Sequence, residues 1–137
     1  MNQLLSNKTF VIIGGTTGIG LSAAKSFITE GANIIVVGID SKSVDQAISK
    51  LGQSAEGFAG DATQSKTAIK AIDLALKKFG DFNGMYHVAG GSGREMGDGA
   101  LHEVTDEGWL KTIELNLSSV FYSNRAALKT FTTLGQS

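Results

Sequence analysis

Cysteine is absent from the 137 residues, so disulfides and thiolate metal sites are excluded. Proline is absent as well, and the turns must rely on the 18 glycines. Histidine occurs only at His87 and His102, too few for a zinc site. Neither sign of charge dominates: 12 Lys and Arg against 13 Asp and Glu leave a net charge of −1, with no basic footprint for nucleic acid or an anionic membrane. No apolar run approaches the ~20 residues that span a bilayer. The opening Met1-Asn2-Gln3-Leu4-Leu5-Ser6 lacks the basic region and apolar core of a signal peptide. The expectation is a soluble, cytoplasmic protein without nucleic-acid or membrane partners. What is present is 42% hydrophobic residues, enough for a core, in a length that suits one domain over residues 1–137.

The most informative stretch is Gly14-Gly15-Thr16-Thr17-Gly18-Ile19-Gly20. Before it stands a β-branched run, Phe10-Val11-Ile12-Ile13, and after it a helix-like segment from Leu21 to Ile28. A strand, a glycine turn and a helix together form a pyrophosphate site. Glycine allows a sharp turn and close backbone approach, and the helix start offers unpaired N–H groups and a positive dipole end. A glycine string alone is a weak signal; these flanks strengthen it.

Along the chain, residues 9–14 read as a buried strand and 18–30 as a helix ended by Gly31. Asn33 to Val37 is a second buried strand. Ser43, with Gln46 three residues on, reads as a capping box opening a helix to Leu51. Ala55 to Ala59 is a third strand, closed by Gly60-Asp61-Ala62-Thr63. A helix follows over Gln64 to Phe79, its apolar face on Ile69, Ile72, Leu76 and Phe79. Phe82 to Val88 is a fourth strand, and the glycine-containing loop from Ser92 to about Ala100 reads as mobile or ligand-shaped. Thr105 caps one long last helix, with Trp109, Ile113, Leu117, Val120 and Phe121 on an apolar stripe, ending near Leu134. The order βαβαβαβα predicts an α/β protein, a doubly wound parallel sheet of order 3-2-1-4 with helices on both faces in three layers.

With these elements placed, the chain resembles the short-chain dehydrogenase/reductase family over almost its whole length. The family's T-G-x-x-x-G-x-G turn matches Gly14, Gly18 and Gly20, with Ile13 in place of the opening Thr. Its adenine-contacting aspartate after strand three corresponds to Asp61, its N-N-A-G motif to His87-Val88-Ala89-Gly90, and the asparagine of its catalytic tetrad to Asn116. The resemblance implies a truncated Rossmann-like fold. It implies cofactor contacts from Gly14, Thr16, Thr17, Gly18, Ile19 and Gly20 in the first turn, Ile39 and Asp40 after strand two, and Asp61 and Ala62 after strand three. Ala89, Gly90 and Gly91 after strand four complete the set. The plainer readings are a tight turn for the glycines, a helix cap for Asp61, a packed histidine for His87 and a polar helix residue for Asn116. Trp109 reads as core or interface, and Lys25, Arg94 and Glu95 as solvated.

The cofactor this implies is NAD or NADP. An acid about 20 residues beyond the glycine turn reads the ribose 2′-hydroxyl in NAD users. Aligned by the glycines, that position is Gly38, and the position of the NADP-type arginine is Ile39. Thr17 stands where NADP users often carry a basic residue. Asp40 lies near enough to reach the ribose and repel a 2′-phosphate, while Lys42 argues the other way; the balance tips to NAD. The family's catalytic Ser and Y-x-x-x-K are not found: Tyr86 is followed four residues later by Gly90 and Tyr122 by Ala126, and the sequence ends at Leu134-Gly135-Gln136-Ser137 where a fifth strand is expected. Three readings stay open. One is a half-length, diaphorase-like oxidoreductase passing hydride from NAD(P)H to a small quinone or dye acceptor; the others are a non-catalytic nucleotide-binding module and a fragment of a full dehydrogenase. The exposed edge of strand four and the stripe of the last helix lead to the expectation of a homo-oligomer.

Overall fold

A computed structural model describes residues 3–135. Four parallel strands form one sheet: β1 (Thr9–Ile13), β2 (Asn33–Gly38), β3 (Ala55–Ala59) and β4 (Gly84–His87), in the order β3-β2-β1-β4. The order read from the sequence is the one observed. In register, Ile13 stands beside Val37 of β2 on one side and His87 of β4 on the other. The helices are α1 (Gly18–Thr29), α2 (Ser41–Leu51), α3 (Ser65–Phe79), α4 (Asp106–Ile113) and α5 (Ser119–Leu134), with a short 3₁₀ turn at Arg94–Met96.

Side chains of a strand alternate between its two faces, and the core divides accordingly. Val11, Ile13, Ile35 and Val37 point to the face covered by α3 and α5, where Ala68, Ala71, Ile72, Ala75, Ala126 and Ala127 are buried. Ile12, Ile34 and Val36 point to the opposite face, against Ala24 of α1 and Leu51 of α2. Phe82, wholly buried, stacks on Phe131 with ring centroids 5.0 Å apart.

Several boundaries differ from expectation, each for a local reason. Helix α2 begins at Ser41 rather than Ser43, because Asp40 is the cap: its carboxylate accepts from the Ser43 amide (2.8 Å) and hydroxyl (2.7 Å). The ladder of β4 covers only Gly84–His87 of the expected Phe82–Val88, since Phe82 turns into the core; Asn83 and Val88 still donate to Thr9 and Ile13. On α3 the core face consists of alanines with Ile72, and Ile69 is half exposed. Small residues let that helix lie close to the sheet. The last helix is not continuous: a π turn over Glu114–Ser118 separates α4 from α5. Trp109, Leu117 and Phe121 of the expected stripe are more than half exposed, and α5 instead packs through Ser119, Ser123, Ala126 and Ala127. Where the family's fifth strand is expected to begin, Leu134 is still the last residue of α5 and Gly135 caps it in the left-handed conformation; 136–137 lie outside the described residues.

Replacing Phe82 by Ala removes the largest fully buried side chain and its stacking partner at once. Urea denaturation is expected to show a loss of ~3–5 kcal/mol. A loss below about 1 kcal/mol would mean that the ring is not part of the core.

Candidate nucleotide-binding cleft

The chain runs from β1 out to β3 on one side and then crosses to β4 on the other, so its direction reverses between β1 and β4. In open α/β sheets ligands bind beyond the strand ends at such a switch point. Here the C-terminal ends of the strands enclose a cleft of about 260 Å³, lined by Gly14 after β1, Ile39 after β2, Gly60 to Thr63 after β3, and Ala89 and Gly90 after β4. That is below the ~300–1,000 Å³ of pockets that enclose a whole ligand, and suits one end of an extended one.

The turn from β1 into α1 is built by close backbone contacts. Gly14 adopts φ +85°, and a β-carbon there would lie 2.6 Å from the amide nitrogen of Ala89. Gly20, in the first turn of α1, is so close to Gly14 that a methyl group would collide with the Gly14 carbonyl oxygen. Gly14 and Gly15 both donate to the carbonyl of Val37, tying the turn to the end of β2 (2.8 and 3.1 Å). Helix α1 has Thr17 at its cap position, yet that side chain makes no cap bond and the first turn holds no acid. Helix α2 is capped by Asp40 and α4 by Thr105 with Asp106 and Glu107 behind it, whereas α3, like α1, has neither a side-chain cap nor an acid in its first turn; what sets α1 apart is the glycine turn before it. An uncapped helix start beside a glycine turn leaves backbone donors for an anion.

The other wall is held by two polar clusters. Asn116, in the π turn, accepts from the Gly91 amide (3.1 Å) and donates to the carbonyls of Gly91 and Thr112. A β-carbon on Gly90 would lie 2.8 Å from the Asn116 side-chain oxygen. His87 is half buried between β4 and α5. Its Nε2 lies 2.9 Å from the Ala89 carbonyl, which can only accept, so Nε2 carries the proton. Nδ1 then accepts from the buried Ser123 hydroxyl (2.8 Å). Ser119 donates to the Leu115 carbonyl (2.7 Å), a side-chain bond to the helix backbone within the π turn. The same kind of bond occurs within the regular turns of α1 and α5, from Ser26 to Ser22 and from Thr130 to Ala126. The loop after β4 is docked rather than loose: Gly93 donates to Thr112 Oγ1 and Thr105 Oγ1 donates to the Met96 carbonyl.

Of the residues singled out in the sequence, Gly14, Ile39, Asp61, Ala62, Ala89 and Gly90 line the cleft. Thr17, Gly18 and Ile19 are exposed at the start of α1, while Thr16 and Gly20 are buried beneath it. Asp40 is exposed at the cap of α2. Asp61 accepts from the amide and hydroxyl of Thr63 (2.9 and 2.7 Å). Gly91 and Asn116 are exposed, bonded to each other, and do not line the cleft. Gly60, Thr63 and Leu115 also line the cleft and were not singled out. Leu115 lies next to Asn116 in sequence, which is the one signal that points to it. Among the described residues no group of acidic and histidine side chains could hold a metal, and no helix is long and apolar enough to cross a membrane.

The glycine turn, the uncapped α1 and the narrow cleft fit the diphosphate and one nucleoside end of a dinucleotide. Comparison with known proteins gives the family. The family model for short chain dehydrogenase matches residues 8–137. The chain is 29% identical over 131 residues to 2-(S)-hydroxypropyl-CoM dehydrogenase 3 of Xanthobacter autotrophicus, covering 93% of this chain and 50% of that protein. It is 30% identical over 129 residues to short-chain dehydrogenase/reductase ABA4 of Pyricularia oryzae, covering 91% and 48%. Among solved structures, a short-chain dehydrogenase/reductase (glucose/ribitol dehydrogenase) from Brucella melitensis superposes with a TM-score of 0.82 at 30% identity, over 94% of this chain and 54% of that one. A short-chain type dehydrogenase/reductase from Mycobacterium ulcerans gives 0.86 at 26%, over 96% and 49%. The chain spans about half the length of the curated relatives it matches.

Burial holds the His87 imidazole below its ordinary value of about 6.5, opposed in part by the Ala89 carbonyl. The folded state thus binds this proton less readily than the unfolded chain. The stabilisation is complete above about pH 6.5 and is lost as pH falls through that value toward the lower folded one. Asp40, held low chiefly by the Ser43 hydroxyl, contributes only to acid loss below about pH 4. Urea melts at pH 7.5 and 5.5 are expected to show wild type losing more stability than His87→Gln across that interval. Equal losses would contradict the assignment.

Proposed function

We propose, from the fact that this chain belongs to the short-chain dehydrogenase family, that its residues 1–137 form one dinucleotide-binding unit for NAD(P), with NAD preferred. The observation that carries the reading is the close backbone packing at Gly14 and Gly20 beneath an uncapped α1. In this reading the amides at Gly18, Ile19 and Gly20 receive the diphosphate, helped by the positive end of the helix. Thr16 and Thr17 flank it. Asp61 and Ala62 border the adenine, and Ala89, Gly90 and Gly91 border the remainder of the cofactor. Asn116 acts as a positioning residue, since its amide is spent on the backbone of Gly91 and Thr112. The Asp40 carboxylate, kept ionised by Ser43, repels a 2′-phosphate, and this is the ground for preferring NAD.

A nicotinamide cofactor, when bound, supplies hydride. The chain's own residues supply binding and orientation. Neither Tyr86 nor Tyr122 is followed four positions later by a lysine, the spacing that would serve proton transfer to a carbonyl by acid–base catalysis. Such acid–base catalysis is worth roughly 10²–10⁴ in rate. We read the activity of these residues as diaphorase-like, toward a quinone or dye acceptor whose reduction needs little proton catalysis, since the cofactor itself carries the hydride; the alternative is that they are the nucleotide-binding part of a full dehydrogenase. The same observation favours a second reading, cofactor binding without turnover.

Exposed apolar side chains on the α4–α5 rod, among them Trp109, Leu117, Phe121 and Leu128, together with the outer edge of β4, support self-association through this face. Sedimentation at micromolar concentration is expected to show a species larger than the monomer; monomer alone would reject the interface.

Titration calorimetry with NADH and NADPH, followed by a dye-reduction assay on the same sample, tests the function. Saturable binding of NADH below about millimolar concentration is expected, with dye reduction for the diaphorase reading and none for the binding module. No binding of either nucleotide would contradict both. Asp40→Asn, which preserves the helix cap, is expected to raise NADPH affinity several-fold relative to NADH. An unchanged ratio would remove Asp40 from cofactor choice.

A further inference from the structure

Between α3 and α5 runs a groove of about 410 Å³ that shares no lining residue with the nucleotide cleft. Its volume lies within the ~300–1,000 Å³ of small-molecule pockets. The floor is apolar: Ile72 and Ala126 are buried beneath it, and Ile69 stands over them, 52% exposed. Ile69 keeps the helical period of α3 yet belongs to neither core cluster. The apolar surface it offers is spent on this groove.

The walls are charged, and the charges are unmatched. Arg125 and Lys129, four positions apart on α5, line one wall, and Asp73 of α3 lines the other. Among the described residues none of the three forms an ion pair. Like charges at this spacing on a helix repel each other, and no acid of the chain relieves them. Arg125 is nonetheless restrained: its guanidinium carbon lies 4.7 Å from the centre of the Phe121 ring and 5.5 Å from that of Tyr122. Such aromatic contacts hold the side chain without supplying an oxygen acceptor for its N–H donors. Two cations facing a single acid leave the groove with an excess of one positive charge.

We propose that the groove between α3 and α5 binds a small monocarboxylate with an apolar body. Arg125 and Lys129 receive the carboxylate, and the body lies on Ile69, Ile72 and Ala126. The planar fork of an arginine matches a carboxylate in shape as well as charge, and Lys129 adds a second cation one helical turn on. Asp73 sets the charge of the ligand. A single negative charge balances the excess, whereas the second charge of a phosphate monoester meets the Asp73 carboxylate. The site is independent of the cofactor reading. Phe121 and Leu128, which carry the proposed self-association, do not line it.

The test varies the head group of one ligand and the charges of the groove. Octanoate, octanol and octyl phosphate are titrated into the full chain and followed by backbone amide NMR, with thermal melts of every variant to establish folding. Octanoate is expected to shift the amides of Ile69, Arg125 and Ala126 saturably at low millimolar concentration, and to bind about tenfold more tightly than octanol. Arg125→Gln and Lys129→Gln are each expected to cut that preference to about threefold or less. Asp73→Asn is expected to improve the binding of octyl phosphate relative to octanoate. Equal binding of octanol and octanoate by wild type would overturn the proposal, as would an undiminished preference in folded Arg125→Gln or Lys129→Gln. Octyl phosphate bound more tightly than octanoate by wild type would contradict the role given to Asp73 and with it the choice of a monoanion. Shifts at these amides on dilution alone, without response to octanoate, would mean that a second copy of the chain fills the groove, and would overturn the proposal as well.

Discussion

The first turn of α1 rests directly on the carbonyl of Gly14, with no room for a methyl group between them. This contact fixes the height of the helix start relative to the strand ends, and the rest of the cleft follows from it. Gly14 presses on Ala89 across the switch point, so the segment after β4 must leave the sheet without a side chain in its way. The shared acceptor at Val37 then fastens the turn to β2. Backbone packed at this density allows backbone donors to face a ligand, which a bulkier turn would hold at a distance.

The far wall shows a different strategy, in which side chains hold backbone. His87 bridges Ala89 and Ser123, and Asn116 clasps Gly91 from the π turn. Both residues act on the segment that follows β4, His87 at Ala89 and Asn116 at Gly91. The π turn lies at the same place: the helix widens over Glu114–Ser118, where Leu115 lines the cleft and Asn116 reaches Gly91. The widened turn also shifts the register of the rod beyond it. Alanines and serines of α5 then meet the sheet, and the large apolar residues turn outward.

The strands, the glycine turn and the order of elements were legible in the sequence because each has a local signature. Ile34 to Val37 is a continuous β-branched run that only a sheet covered on both faces accommodates. Asp61, Ala89 and Gly90 came instead from the resemblance to the family's motifs, and all three line the cleft. What escaped depends on contacts between distant residues or on side chains competing with the backbone. A 3.6-residue periodicity continues through Asn116 without a break, and only the backbone over Glu114–Ser118 reveals the π turn. The start of α2 moved to Ser41 because Asp40 outcompetes Ser43 as the cap. Ile69 matched the helical period of α3 yet faces outward, since the alanines beside it allow the closer approach to the sheet. The packing of Thr16 against Gly38 joins two elements 22 positions apart and has no trace in either segment alone.

The central claim is that backbone amides at the start of α1 receive a diphosphate, and backbone amide NMR during a titration with NADH reports on them directly. The account predicts saturable shifts at Gly18, Ile19 and Gly20, accompanied by Ala89 and Gly90 across the cleft. Shifts that leave the start of α1 unmoved, or no shifts at millimolar NADH, would contradict it.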